Sequence, residues 1–435
     1  MVPASRLLWL LALVAFPAAV AGGLVPGAGV IASAIVALVA AIAILDAIMS
    51  RSMLDEVRVS APPLVRLYRE REDAIPLRVD APATLRAARL GLPLADGFDT
   101  PEDVRLVQLD PSGSSAVDWV VTPRRRGRYR IEAAYVEGAS AIGLWDVRRK
   151  VPAEFEVRVY PNLRHSDALA ALRTGAAGTN LLRQVGKGRE FEKLREYTPG
   201  DGYDEIHWKA SARRGKPITK VFQVERTQEI YVVIDAGRLS ARMSGRESTL
   251  ERFMQAGLVL GAAAERNGDL FGLAAFSDRL HGFVRARNGK AHYAACRDAL
   301  YQLEPRAVSP DFDEITTFLR LKLRRRALII FLTELDDPML AESFIRSIRL
   351  LNAQHVVLTG MLKPSDAMPL YSGGNPVDSE RDVYARLSAH AAWKGLKETE
   401  MTLRRQGVWF SLFTPEAICQ QLVTAYVEIK RRQLI

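Results

Sequence analysis

Two apolar runs near the N-terminus limit what this chain can become. Leu7 to Val25 (LLWLLALVAFPAAVAGGLV) and Val30 to Met49 hold one charged residue between them, Asp46. Each approaches the roughly 20 residues that a helix needs to cross a bilayer core. Pro26-Gly27-Ala28-Gly29 makes a tight connection between them, so residues 1–54 read as a transmembrane helical hairpin with both ends on one side. Arg6 before it and Arg51, Arg58, Arg66 and Arg69 after it put that side in the cytoplasm. The rival reading is a cleaved signal peptide, because Ala19-Val20-Ala21 resembles a peptidase site. The second run would then stop transfer and still leave residues 55–435 in the cytoplasm.

The rest of the 435 residues is enough for two or three domains. Two cysteines, Cys296 and Cys419, lie far apart, which is neither a disulfide framework nor a zinc site and suits a reducing compartment. A formal charge of +10 raises the question of nucleic acid. The basic residues are scattered in clusters at Arg124 to Arg130, Arg148 to Lys150, Lys322 to Arg326 and Lys430 to Arg432, and no recognition-helix, zinc-finger or RNA-binding signature accompanies them. No nucleic-acid partner is expected. A domain held against an anionic leaflet shows the same excess.

Residues 55–165 alternate apolar and polar side chains in short stretches: Val57 to Val59, Ala74 to Val79, Val104 to Leu109, Val117 to Val121, Arg128 to Val136 and Phe155 to Tyr160. Pro62-Pro63, Pro111-Ser112-Gly113, Arg126-Gly127 and Gly138 punctuate them, the pattern of a β-sandwich of roughly seven strands. Residues 166–228 read as a strap or linker, with Ala168 to Leu182 a loop or short helix. From Glu229 onward apolar runs (Ile230 to Ile234, Leu270 to Phe276, Ala327 to Thr333, Val356 to Met361) alternate with helical periods. That is an α/β, doubly wound, mostly parallel sheet over residues 229–435, with ligands expected at the carboxyl ends of its strands.

A hairpin of strands after the first helix is the element order of a von Willebrand factor A-like domain. The segment before it goes further. Glu190-Phe191-Glu192, Leu194-Arg195-Glu196-Tyr197, Pro199-Gly200-Asp201, Ile206, Trp208-Lys209-Ala210 and Ala212-Arg213 resemble the signature of the bacterial domain of unknown function 58 family. The N-terminal hairpin, Arg126-Gly127-Arg128-Tyr129 and Val159-Tyr160-Pro161 also fit it. The resemblance implies a partner of MoxR-type AAA+ ATPases, sitting in a bacterial inner (cytoplasmic) membrane as a multi-pass protein, with no assigned reaction.

Such A-like domains often hold Mg²⁺ through Asp-x-Ser-x-Ser after the first strand plus Thr and Asp from later loops, since a hard cation takes oxygen ligands. Here Asp235 is in place, but Gly237 and Leu239 replace both hydroxyls and Ser240 is one position out. Thr333-Glu334-Leu335-Asp336-Asp337 offers Glu where Asp is expected, and Ser309 and Asp311 fall in the middle loop. Asp235 and Asp336 remain as a degenerate metal pair. The bland alternative is an Asp that caps the following turn.

The signature segment carries three readings. An acid–base cluster would use Glu190, Asp201, His207 and Arg213. A structural network would pair Arg195 and Arg213 with Glu190, Asp201 or Asp204, with Phe191, Ile206 and Trp208 packed below and Asp204 capping a short helix through Ala212. A recognition surface would be built on that frame, with Tyr197 and Trp208 included. The strap with binding superimposed is the expectation. The arginine run 124–130 reads as a solvated strand edge, with membrane or ATPase contact as the alternative. His281, His292 and Cys296 lack metal-site spacing. Together these point to a protein-interaction and assembly factor, serving a MoxR-type ATPase in maturation of envelope or enzyme complexes, with no cofactor and no catalysis. A metal-dependent hydrolase using Asp235, Glu334 and the Glu190–Arg213 cluster is the competing expectation.

Overall fold

The computed structural model describes residues 1–24, 29–83, 85–110, 113–162, 185–198, 202–203, 206–223, 228–245, 247–370, 372 and 379–432, with backbone alone at 185–193 and 220–223. Two compact units divide at Asn162 and Leu163. The expected loop or helix at Ala168 to Leu182, and Asp201 and Asp204, lie outside the described residues.

In the first unit β1 (Val2–Pro3) precedes two helices, α1 (Ser5–Leu24) and α2 (Gly29–Ser50), both long and apolar enough to cross a membrane. α1 contains a π-helical turn at Leu11–Ala15. Pro17 has no N–H to give the Leu13 carbonyl, and a widened turn accommodates that gap. Trp9, Leu13, Phe16, Val30, Ile31, Leu38, Ile44 and Ile48 all point outward, a continuous apolar surface that water does not tolerate.

The sandwich follows. β2 (Arg58–Ser60), β3 (Leu64–Tyr68), β4 (Asp73–Asp80), β5 (Ala87–Gly91), β6 (Phe98–Asp99), β7 (Val104–Gln108), β8 (Ser114–Pro123), β9 (Gly127–Ala139) and β10 (Trp145–Tyr160) form two layers. One runs β1-β10-β9-β5-β7 with β3 parallel to β10; the other runs β2-β4-β8-β6. Period-two alternation builds the core: Ile75, Leu77 and Val79 of β4 and Val117, Trp119 and Val121 of β8 face Leu90, Val107, Val136 and Val157 in one buried cluster. β10 begins ten residues earlier than the alternation from Phe155 suggests. Pro152 interrupts the ladder, and a register shift between Pro152 and Phe155 absorbs it, as a bulge does. The arginine-rich strand faces are paired and not bare: Arg128 with Glu156, Arg130 with Glu154, Arg89 and Arg148 with Glu137.

The second unit opens with a ribbon, β11 (Val185–Glu196) antiparallel to β12 (Ile218–Gln223), with α3 (Trp208–Arg214) between them. Beyond it come β13 (Glu229–Asp235), a small hairpin of β14 (Met243–Ser244) and β15 (Glu247–Ser248), α4 (Thr249–Arg266), β16 (Leu270–Phe276), β17 (Leu280–Arg287), α5 (Lys290–Leu300) and α6 (Phe312–Lys322). The chain continues with β18 (Ala327–Leu332), α7 (Pro338–Asn352), β19 (Val356–Leu362), α8 (Glu380–Arg405), β20 (Trp409–Phe413) and α9 (Ile418–Arg431). The sheet order is β17-β16-β13-β18-β19-β20, parallel except for β17. β13 and β18 are buried almost throughout, because helices cover both faces. Ile230, Val232 and Ile234 pack under α4, α5 and α9. Tyr231 and Val233, on the opposite face, meet Phe312, Leu319, Phe344 and Ile348 of α6 and α7. This is the expected doubly wound α/β sheet.

Candidate functional site

The carboxyl ends of β13, β16 and β18 converge, as they do wherever an open parallel sheet offers a crevice. Asp235 ends β13 and is 3% exposed. Its Oδ2 accepts a hydrogen bond from the Thr333 hydroxyl at 2.6 Å, and its Oδ1 accepts from the Gly237 amide at 2.7 Å. Burial pushes its carboxyl up to about 6, with those two donors pulling the other way. Glu334 is buried beside it and accepts from the Leu362 amide at 3.3 Å. Burial, then the Asp336 charge, carries Glu334 up to about 8. At neutral pH Glu334 is therefore chiefly a neutral acid.

The two outer carboxylates have cationic partners. Arg238 and Arg242, from the 3₁₀ turn after β13 and its C-cap, pair with Asp337 and Asp336. Both guanidinium groups stay about half exposed while the carboxylates are largely covered. Asp337 also caps α7 through the Met339 amide, and Asp311 caps α6 through Glu314. The capping reading made for the motif Asp describes Asp235, through the Gly237 amide, and these two residues as well. Ser240, the displaced hydroxyl, turns back onto the Gly237 carbonyl at 2.8 Å. A Cβ at Gly237 would lie 3.0 Å from Asp235 Oδ1 and from Pro310, and 3.1 Å from the Val308 carbonyl. The missing hydroxyl is thus matched by a backbone that leaves it little room. Among the described residues no group of three or more His, Cys, Asp or Glu is placed to hold a metal ion. The oxygens present do not fit a magnesium site: two hydroxyl ligands are gone, the third points away, and arginines hold the later-loop carboxylates.

One arrangement here was not anticipated. Ser277, at the end of β16, has its hydroxyl 2.6 Å from His281 Nε2 and 2.7 Å from Asp278 Oδ1. It looks like parts of a nucleophile triad, but the Asp contacts the Ser and not the other ring nitrogen, and Ser277 is fully buried. Spacing in sequence gives no hint of it, since the β-hairpin brings these groups together. The set-aside His292 bonds the Phe271 carbonyl at 2.7 Å.

In the signature segment the structure corrects several expectations. α3 is capped by His207, whose Nδ1 accepts from the Ala210 amide at 3.1 Å, which gives the cap to His207 and not to Asp204. Ser211 receives the Ile218 amide at 2.8 Å and His207 donates its amide to the Ile218 carbonyl at 2.7 Å, which fixes α3 on β12. Ile206 is buried, as expected, but Trp208 is 69% exposed. It occupies the first turn of a helix none of whose residues is buried and which is held to β12 through Ser211 and the His207 and Ile218 backbone. Arg213 is exposed in the last turn and has no ion pair among the described residues; its expected partners Asp201, Asp204 and the Glu190 side chain lie outside them, and at a helix C-terminus its charge also suits the dipole. Arg195 donates to the Thr198 hydroxyl at 2.5 Å, and Tyr197 lies 6.2 Å from the Tyr203 ring. The Glu190 side chain lies outside the described residues.

Comparison with known proteins agrees with the signature. Residues 193–387 match the family described as "Protein of unknown function DUF58". The uncharacterized protein YeaD of Bacillus subtilis (strain 168) is 25% identical over 119 residues, 25% of this chain and 28% of that protein. The chain thus matches little more than a quarter of that relative's length. Among solved structures, an aerotolerance-related membrane protein from Bacteroides fragilis NCTC 9343 is similar at 11% identity, over 46% of this chain and 98% of that one, with a TM-score of 0.31. The SpRpn10 VWA domain is similar at 9% identity over 46% and 95%, with a TM-score of 0.29. Residues 193–387, just under half of the chain, are thus similar to the DUF58 family, a family of unknown function.

Proposed function

We propose that the chain is a membrane-anchored protein-interaction and assembly factor, working with a MoxR-type AAA+ ATPase in the maturation of envelope or enzyme complexes. Its anchor is the α1–α2 hairpin in a bacterial inner membrane, with both later units in the cytoplasm. The arginine asymmetry around the hairpin supports that orientation. Retention of α1 is supported by its contacts with the sandwich: the Ala4 amide donates to the Leu144 carbonyl at 2.9 Å, and Leu7 packs with Ala43 and Leu144.

The observation that carries the reading is the pairing of Arg238 and Arg242 with Asp337 and Asp336 at the strand ends. A crevice of this kind that served metal chemistry would leave its carboxylates open to a cation. Here they are covered, and what faces solvent is a pair of half-exposed guanidinium groups, suited to a partner's carboxylates. The hydrolase reading has against it the same covered carboxylates.

The test uses the full-length chain in lipid nanodiscs and a purified MoxR-type ATPase from the same cell. Binding should survive Asp235→Ala, which removes the first-strand carboxylate of the degenerate metal motif. It should weaken at least about tenfold, or about 1.4 kcal/mol, in Arg238→Ala/Arg242→Ala. Loss of binding in Asp235→Ala with retention in the arginine variant would refute the reading.

A further inference from the structure

The tip of the long β9–β10 hairpin, residues 140–145, is bound to the α1–α2 hairpin in a way that an aqueous turn does not need. Every backbone amide in it has a partner inside the protein. Ser140 donates to the Trp145 carbonyl at 2.8 Å and Gly143 to the Ser140 carbonyl at 3.0 Å. Ala141 donates to the Ser50 hydroxyl at 3.0 Å. Ile142 and Leu144 donate to the two oxygens of Asp46 at 3.0 and 3.2 Å. Trp145 donates to the Ser140 hydroxyl at 2.9 Å, and that hydroxyl in turn donates to Asp46 at 2.6 Å. The Trp145 indole N–H reaches the Ala43 carbonyl at 2.8 Å. Asp46, the lone charge of the two apolar runs, is wholly buried in this socket.

We infer that residues 140–145 are a lipid-inserted wedge, seated at the boundary between headgroups and acyl chains, with Asp46 as its latch. The inference rests on the reading that α1 and α2 span the membrane. Three observations commit the tip to lipid. The first is depth. α2 has 22 residues and is about 33 Å long at 1.5 Å per residue, slightly more than the hydrocarbon core. The backbone of the turn is bonded to Asp46, four residues before the end at Ser50 and about 6 Å along the axis, and its Trp145 indole reaches Ala43, about 10 Å along it, so the turn sits below the level where the helix emerges.

The second is satisfaction. Irregular backbone persists at that depth only where its polar groups are bonded internally, and residues 140–145 meet that demand amide by amide. The third is composition. Ala139 to Trp145 (ASAIGLW) has no charge, whereas the turn at the other end of β9 is Arg124-Arg125-Arg126. Ile142, at the apex, is 49% exposed, and an indole with its N–H bonded is the side chain that favours a membrane interface. Gly143 has φ +83°, and a Cβ there would stand 2.8 Å from Arg6 Nη1. Arg6 thus lies across the tip, at the level where a cation meets lipid phosphates.

The test is a nitroxide placed at Ile142→Cys in full-length protein carrying Cys296→Ala and Cys419→Ala, reconstituted in phosphatidylethanolamine–phosphatidylglycerol vesicles. Labels at Leu38→Cys and Tyr135→Cys, both on exposed positions, mark the bilayer interior and the sandwich surface. At Ile142 collision with oxygen should exceed collision with a water-soluble nickel chelate several-fold, as at Leu38; at Tyr135 the chelate should win. A label at Ile142 that behaves like Tyr135 while Leu38 stays lipid-embedded overturns the wedge alone. An aqueous Leu38 overturns the spanning hairpin, and the wedge with it. Asp46→Asn should move the Ile142 label toward the aqueous side and leave Leu38 unchanged. No movement would overturn the latch.

Discussion

Glu334→Gln isolates the consequence of burying an acid at the strand ends. The folded domain carries the Glu334 carboxyl from its ordinary 4.5 up to about 8, by burial first and the Asp336 charge second. For an acid whose folded pKa is raised, the native state holds the proton over a range in which the unfolded chain has lost it. Stability is then complete below about pH 4.5 and falls as pH rises towards 8. A shift of about three and a half units corresponds to about 5 kcal/mol over the whole range, at 1.36 kcal/mol per unit. Between pH 5 and pH 9 the loss is about 4 kcal/mol. Gln is close in shape and does not titrate, so the variant escapes this loss; ionisable groups away from Glu334 contribute equally to both proteins. The advantage of Glu334→Gln should therefore grow with pH, from near zero at pH 5 to several kcal/mol at pH 9. Pulse proteolysis in urea, scored on survival of the C-terminal domain of the full-length protein, reads that difference for this domain alone. Parallel pH profiles for the two proteins would refute the argument, because they would mean that Glu334 ionises in the folded state as it does in water.

Thr333→Val removes the hydroxyl that Asp235 Oδ2 accepts and leaves a buried oxygen unpaired; the same assay should show a loss of about 1–3 kcal/mol. Arg213→Ala, in the exposed last turn of α3, should change stability by less than about 0.5 kcal/mol, whereas Ile206→Ala, under that helix, should cost about 2–5 kcal/mol. Calorimetric titration of Mg²⁺ or Mn²⁺ into the full-length chain should show no saturable binding in the micromolar range. Gly237→Ser should not create it, since the new side chain meets Asp235, Pro310 and Val308 and the arginine pairs remain; a micromolar affinity lost in Asp235→Ala would overturn this. Protease added to intact cells should leave residues 55–435 uncut, and digestion without permeabilising the inner membrane would sink the proposed topology.

The α/β sheet was legible because its signals are local. Strands buried on both faces read as unbroken apolar runs at Ile230 to Ile234 and Ala327 to Thr333, and the helices between them keep their own period. The sandwich was harder to read. β3 has clear alternation in Leu64 to Tyr68, but it lies directly behind Pro62-Pro63, which reads as punctuation. It also pairs with β10, which lies far along the chain and in parallel, a partner that no local pattern announces. β5 is short and contains Ala87, Ala88 and Gly91, with little apolar contrast. At the strand ends, the loss of both hydroxyls in the Asp235 motif was plain. The pairing of Arg238 with Asp337 and of Arg242 with Asp336 was not, because it joins positions that only the parallel crossover brings together. Trp208 was misjudged for a different reason: a large apolar residue is credited with burial, whereas none of the seven residues of α3 is buried and the helix is held to β12 by hydrogen bonds of His207 and Ser211.

The way β10 is held sets how the sandwich bears load. Trp145–Tyr160 runs about 50 Å at roughly 3.3 Å per residue, from the tip at the helices to within two residues of the boundary at Asn162. β9 bonds it on one side along most of that length, and β3 bonds its last five residues on the other. A pull on the chain beyond Asn162, against the fixed hairpin, lies along β10 and strains these ladders together in shear. It does not peel them apart one bond at a time. In the proposed topology, with α1 and α2 anchored in a bilayer, a load on the chain leaving the first unit would reach that anchor before it unravelled the sandwich.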